Sequence, residues 1–322
     1  MLTAVMYHYV RDPDDTRFPG LKSLSSQDFR GQLEYILKHY RVCSASEVAE
    51  AAQGKRSLRK NSCLLTFDDG LADHYHAVFP LMLKHGIPGC FYVAAKPVLE
   101  YAVLDVHKLH FVLAVCPEKP KLLDEALELG RQLFPELDDL PLETLVAPRE
   151  LYSRFDKPDV MLLKRLLQKG LPENIRSAIV GELFRKYVSR DEAAFARELY
   201  MSVGQMQEMR SKGMHIGGHG HRHRWMATIT GEEQRAELEQ TRAFLQTDRG
   251  DINVWWSLAY PYGSYNAQTL DIVPKLGCSF ALTTEVGINS DLRNPYELRR
   301  LDTNDLPCTA NAPLSKWTEL VI

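Results

Sequence analysis

Six short apolar runs recur along the chain with amphipathic segments between them, and this alternation limits the possible folds more than any other feature. The runs are LTAVMY (2–7), SCLLTF (62–67), GCFYVA (89–94), MHIGG (214–218), VWWSLAY (254–260) and SFALTT (279–284). Unbroken apolarity, rather than alternation of apolar and polar, is what a strand covered on both faces requires. Helical patterns lie between the runs. Ser26 heads FRGQLEYILKHY, and Gly86 and Pro88 stop ADHYHAVFPLMLKHG. Thr230 and Glu233 form a capping box before EEQRAELEQTRAFLQ, and Asn266 precedes AQTLDIVPKLG, which closes on Gly277. Strand alternating with helix implies parallel strands and right-handed crossovers, hence a barrel or a doubly wound sheet. A length of 322 residues, 45% of them hydrophobic, suits either one large α/β barrel or two average domains.

One region breaks the pattern. From about Leu99 to Tyr200 the text is helical, with KLLDEALELGRQLF, VMLLKRLLQKG, NIRSAIVGELFRKYV and DEAAFARELY and no convincing strand. The expected organisation is a main domain over residues 1–97 and 202–322 and a helical insertion over 98–201, whose amphipathic faces pack on one another or serve as a lid or dimer surface. Net charge is −3 with both signs spread along the chain, so no basic stripe suited to nucleic acid is present. No stretch approaches the roughly 18 apolar residues of a membrane span; LHFVLAV (109–115) comes nearest. The opening MLTAVMYHYVRDPDD lacks a basic region before its short apolar stretch, and the six cysteines are scattered without a C-x-x-C pair. The expectation is a soluble cytoplasmic protein with free thiols.

Three constellations could carry chemistry. The run CLLTFDDG (63–70) ends in Asp68 and Asp69, an expensive place for two charges unless something positive stands beside them. In parallel α/β folds ligands bind outside the carboxyl ends of strands, where this pair would lie; alternatively the pair merely caps the following helix. Next, HIGGHGHRHRWM carries His215, His219, His221 and His223. If the chain turns helically after Gly217 and Gly218, His219 and His223 share a face and, with a carboxylate, make a metal site suited to hydrolysis; a solvated histidine-rich loop is the competing account. His221, two positions on, points away from its neighbours. Last, AYPYGSYN (259–266) places Pro261 and Gly263 in a turn at another strand end, with tyrosines able to wall a sugar or peptide pocket.

Taken in order, TFDDG, H-x-x-x-H and YPYG resemble the polysaccharide deacetylase family, also called the NodB-homology domain or carbohydrate esterase family 4. MYHYV near the start, the F-x-x-Q-L-x-Y pattern from Phe29 to Tyr35, HGIPGCFYV (85–93) and YELRRLD (296–302) are similar to one branch with an early Y-H-x-V motif. The likeness covers residues 1–97 and 202–303. It implies a distorted (β/α) barrel of about seven strands and a divalent metal, Zn2+ by preference, held by Asp69, His219 and His223. It also implies removal of an N-acetyl group from an N-acetylated sugar or glycan precursor, with Asp68 as general base, the backbone N–H of Tyr262 holding the oxyanion, and Pro261 and Tyr262 against substrate.

Two departures accompany the likeness. Many members carry an arginine two residues before the proline of the third motif, where this chain has Ala259, and many have a late histidine as general acid, absent from LRRLDTND. The resemblance to the Y-H-x-V branch makes His8 the candidate acid, and leaves Arg299 or Arg300 as candidates for the missing arginine. Two other functions fit the same residues: a non-catalytic carbohydrate-binding relative, and a metallohydrolase acting on O-acetyl or non-sugar amide substrates.

Overall fold

A computed structural model of the protein describes residues 1–116, 118–135, 137, 145–147, 151–153, 156–249 and 255–322. The chain divides into two compact units: Met1–Asp12, Ser23–Glu100 and Arg197–Ile322 form the first, and Pro13–Lys22 with Tyr101–Ala196 the second.

The first unit is built on parallel strands β1 (Leu2–Tyr7), β2 (Arg41–Val42), β3 (Ser62–Phe67), β4 (Cys90–Val93), β5 (His215–Gly218), β6 (Trp256–Ala259), β7 (Cys278–Val286) and β8 (Leu298–Asp302). Pairing runs β1-β8-β7-β6-β5-β4-β3, and β1 pairs β3 from Leu2↔Ser62 to Tyr7↔Phe67, which closes a seven-stranded barrel. The two-residue β2 pairs only with the start of β3, at Ser62 and Cys63. Closure removes every open sheet edge from the ring. All six apolar runs became strands, because each is covered on both faces. Leu2, Ala4, Leu64, Tyr92, Ala259, Phe280 and Leu298 pack together as one cluster. Val5, Leu65, Phe67, Val93, Ile216, Leu258 and Leu301 pack in another with Phe29, Leu33, Met209, Leu238 and Val273 of the surrounding helices. Alternation along each strand thus sorts side chains into a lumen and a helix layer.

Helices return the chain between strands. In α1 (Ser26–His39) the cap is Ser25, one residue before the expected Ser26; its hydroxyl accepts from the Asp28 N–H. Thr230 and Glu233 do form a capping box, at α2 (Gly231–Arg249), and Asn266 caps α3 (Ala267–Lys275). The segment from Ala72 to His85 is not one continuous α-helix: a π-helical turn over His74–Val78 precedes a helix over Phe79–His85, with Pro80 in the first turn of the latter. Its Gly86 sits in the left-handed region at φ 63°, as a C-terminal stop requires.

In the second unit, helices over Asp105–Val115, Lys119–Leu133, Pro158–Arg165, Glu173–Tyr187 and the start of Glu192–Leu199 supply the packing. Phe18, Phe111, Phe184 and Phe195 meet edge to face at centroid distances of 4.8–5.8 Å. The short stretch 13–22 belongs to this unit although it lies far away in sequence, because Phe18 enters that cluster and Lys22 bonds Asp156. Among the described residues no helix is long and apolar enough to cross a membrane, and all six cysteines are free thiols.

Candidate active site

The three constellations meet at the carboxyl ends of β3, β5 and β6. Along β3, Leu64 faces the lumen, so the same parity carries Thr66 and Asp68 inward and would carry Asp69 outward. Backbone geometry reverses that second assignment. Asp69 adopts φ 77°, which ends the strand, and its Oδ1 lies 3.3 Å from both His219 Nε2 and His223 Nε2. Adjacent carboxylates therefore serve different partners around one pocket.

His219 follows β5 directly, its N–H bonded to the Val93 carbonyl at 2.9 Å. The glycines before it are required by close approach: a Cβ on Gly217 would stand 2.5 Å from Tyr92 Cε1. The helical turn that would set His219 and His223 on one face is absent. His219 and His223 converge through an irregular loop in which His223 takes φ 59°. That loop is pinned from two sides. Glu237, buried on α2, accepts from the N–H groups of His221 and Arg222 at 3.0 and 2.8 Å. The N–H groups of Ala95 and Lys96, opening the helix over Ala95–Glu100, donate to the carbonyls of Gly220 and His221. These bonds replace the backbone ladder a helix would have supplied. His221 turns from the Asp69–His219–His223 cluster: its ring lies 3.7 Å from Glu100. His215, at the start of β5, stacks on Trp255 near the opposite end of the strand.

The donor set fits a divalent ion. Nδ1 of His219 donates to the Ala259 carbonyl at 2.7 Å, which leaves the Nε2 lone pair facing Asp69. The two Nε2 atoms are 3.2 Å apart, so the three atoms form a nearly equilateral triangle. Ligands about 2.0–2.1 Å from a tetrahedral zinc stand about 3.3–3.4 Å from one another, which matches that triangle. Electrostatics agrees: burial disfavours a charged His219, yet Asp68 and Asp69 outweigh burial and raise its pKa. The pocket thus favours positive charge.

Asp68 is 1% exposed and paired with Arg300, itself 1% exposed, through parallel bonds of 2.8 Å to Oδ1 and 2.7 Å to Oδ2. The same guanidinium donates to the Thr283 carbonyl at 2.8 Å and to Thr66 Oγ1 at 3.1 Å. Burial alone would raise the Asp68 pKa; the Arg300 charge and bonds, with smaller help from His219 and His8, overcome it and hold the carboxyl below its usual range. Of the two arginines left open by the sequence, Arg300 faces Asp68 and Arg299 is directed to Glu285. Nothing local distinguished them, because the strand that carries them reads as LRRLD with charges breaking its apolar run. Strand parity does state that only one of two neighbours faces inward.

His8 follows β1 on the parity of Leu2 and Ala4, level with Asp68, whose N–H bonds the Tyr7 carbonyl at 2.9 Å. His8 is half-buried, and its backbone carbonyl shares a 2.9 Å hydrogen bond with the buried His74 ring. After β6, Pro261–Gly263 form a 3-10 turn in which Tyr262 takes φ 58°. The Tyr262 ring stands edge-on to His223 at 4.6 Å and stacks on Trp225 at 4.3 Å, so aromatic surface flanks the histidines. Among the described residues, Asp69, His223 and Tyr262 are three of the four non-glycine residues with positive φ. Backbone strain is concentrated in this pocket, as at sites where surrounding structure enforces a geometry the local chain disfavours.

Residues 185–281, from the helix over Glu173–Tyr187 into β7, match the Polysaccharide deacetylase family. This segment contains His219, His223, Pro261 and Tyr262 and excludes His8, Asp68 and Asp69. Over 102 residues the chain is 28% identical to YxkH of Bacillus subtilis, provisionally named a polysaccharide deacetylase. That match spans 32% of this chain and 36% of YxkH. Among solved structures, the fold resembles the deacetylase PplD of Streptococcus pyogenes, solved with acetate, at TM-score 0.56 and 17% identity over 94% of this chain and 91% of that one. IcaB from Ammonifex degensii superposes at TM-score 0.55 with 18% identity, covering 93% and 90%. The deacetylase domain of BpsB from Bordetella bronchiseptica gives 0.53 and 17%, covering 94% and 95%. The closed parallel barrel is that of the NodB-like deacetylases.

Proposed function

We propose that the protein is a metal-dependent hydrolase that removes an N-acetyl group from an N-acetylated sugar or glycan precursor. The observation that carries this reading is the triangle of Asp69 Oδ1, His219 Nε2 and His223 Nε2 beside an arginine-paired Asp68. A divalent ion held by those three atoms, Zn2+ by preference, supplies a Lewis acid for the acetamido carbonyl and lowers the pKa of water. Asp68 takes the proton of the attacking water. Each of its oxygens keeps a second lone pair after the Arg300 bonds, so orientation by arginine and proton acceptance are compatible. The N–H of Tyr262 is assigned to the oxygen that gains negative charge as the carbonyl carbon becomes tetrahedral. His8 donates a proton to the departing amine as the C–N bond breaks, giving acetate and an amino sugar. Pro261, Tyr262 and Trp225 wall the sugar.

Likeness to polysaccharide deacetylases supports the substrate class, and the free thiols accord with a cytoplasmic setting as part of the same proposal. The test is acetate release from N-acetylhexosamines in free, nucleotide-linked and lipid-linked forms, with O-acetyl counterparts alongside. Asp68→Asn is expected to retain its metal and to lose about 10²–10⁴-fold in rate. Full activity in that variant refutes the base assignment, and acetate from O-acetyl substrates alone refutes the amide reading.

A further inference from the structure

A cavity of about 420 Å³ opens at the other end of the same barrel, among residues that precede or begin β6 and β7. Its size falls within the range of about 300–1,000 Å³ typical of small-molecule sites. Gln53, Arg242, Trp255, Trp256, Ser279 and Tyr296 line it, and Arg242 is the one charged residue among the described lining residues. Arg242 is half-buried, and its guanidinium has no hydrogen bond or ion pair among the described residues. A guanidinium kept partly from water beside neutral walls favours an anion.

The aromatic walls are fixed in advance. Trp255 lies flat on His215, with centroids 4.8 Å apart and planes 9° apart, and His215 Nε2 shares a 2.8 Å hydrogen bond with Ser257 Oγ. The indole N–H of Trp256 donates to the Leu276 carbonyl at 3.0 Å, which holds that ring in the wall. A preset indole face suits the apolar face of a pyranose and limits the ordering entropy of binding. The amide of Gln53 and the hydroxyl of Ser279 add neutral hydrogen-bonding groups.

We propose that this cavity binds a small anionic sugar, a sugar phosphate or a uronate, with the anion on Arg242 and the ring against Trp255. The site is separate from the Asp69–His219–His223 triangle and does not depend on hydrolysis there.

Calorimetric titration of the full chain with glucosamine 6-phosphate, glucuronate, inorganic phosphate and neutral glucose tests it. Saturable binding of one or both charged sugars is expected, and the tighter of the two identifies the anion. Arg242→Gln should weaken that binding about tenfold or more, since a hydrogen-bonded charge is removed. Trp255→Ala should weaken it several-fold; because Trp255 also packs on His215, Arg242, whose side chain has no partner among the described residues, provides the variant least coupled to folding. Asp69→Asn should leave the affinity unchanged. No saturable binding, undiminished binding in Arg242→Gln, loss of binding in Asp69→Asn, or equal affinity for inorganic phosphate or the neutral sugar would each overturn the proposal.

Discussion

Replacing Arg300 with methionine isolates the pair that most distinguishes this pocket. Both partners are about 1% exposed, and the guanidinium makes four hydrogen bonds, two of them to Asp68. Removing one member of a buried, fully bonded ion pair costs about 3–5 kcal/mol, because the other charge stays buried without compensation. Arg300→Met should therefore lower stability by about that amount at neutral pH. Urea unfolding with excess chelator measures it, so that no divalent ion stands in for the lost cation. The sign of the pH dependence follows from Asp68. Its pKa in the folded protein is depressed, so its stabilising contribution is present above the ordinary carboxylate range and is lost as pH falls through the folded value. In the variant the largest opposition to burial is gone and that pKa rises, so the gap between wild type and Arg300→Met narrows on acidification. Adding Asp68→Asn to Arg300→Met removes the stranded charge and should recover stability relative to the single variant. A loss below about 1 kcal/mol for the single variant, or a double variant no more stable than the single, would refute the reasoning.

Glu237→Ala removes the acceptor that holds the His221 and Arg222 N–H groups, and should weaken metal affinity about 10–100-fold in a competition titration while Glu237→Gln retains most of it. Gly263 sits at φ 66°, where an added Cβ would stand 2.1 Å from Thr284 Oγ1. Gly263→Ala should displace the turn that presents Tyr262 and reduce acetate release more than it reduces metal content. Chelation should lower the unfolding midpoint of the wild type, and restoring the ion to 100 times its Kd should return about 2.7 kcal/mol; Asp69→Ala should respond to neither treatment.

Much of this site was legible because its chemistry sits at the ends of strands that announce themselves. A barrel strand covered on both faces must be apolar throughout, so SCLLTF stands out and the carboxylates that follow it are conspicuous. The same logic hid β8. LRRLD carries a buried arginine facing the lumen, so a strand with a charge inside reads as a tail. The four-residue spacing of His219 and His223 gives them a shared face only if the chain turns helically, whereas two elements distant in sequence, α2 through Glu237 and the helix over Ala95–Glu100, hold the loop in a shape no local preference encodes.

The sequence by itself determined the parallel α/β character, the six apolar strands and the residue types able to bind a metal, since these follow from periodicity and from side-chain chemistry. Tertiary structure alone decided which arginine meets Asp68, how Asp69 is turned back toward two histidines, and that Trp255 and Arg242 share a cavity. Those outcomes depend on strand closure and register, which bring residues 68 and 300, or 215 and 255, within a few ångströms. Contacts of that range are fixed by how the whole barrel closes, and no local segment carries the information.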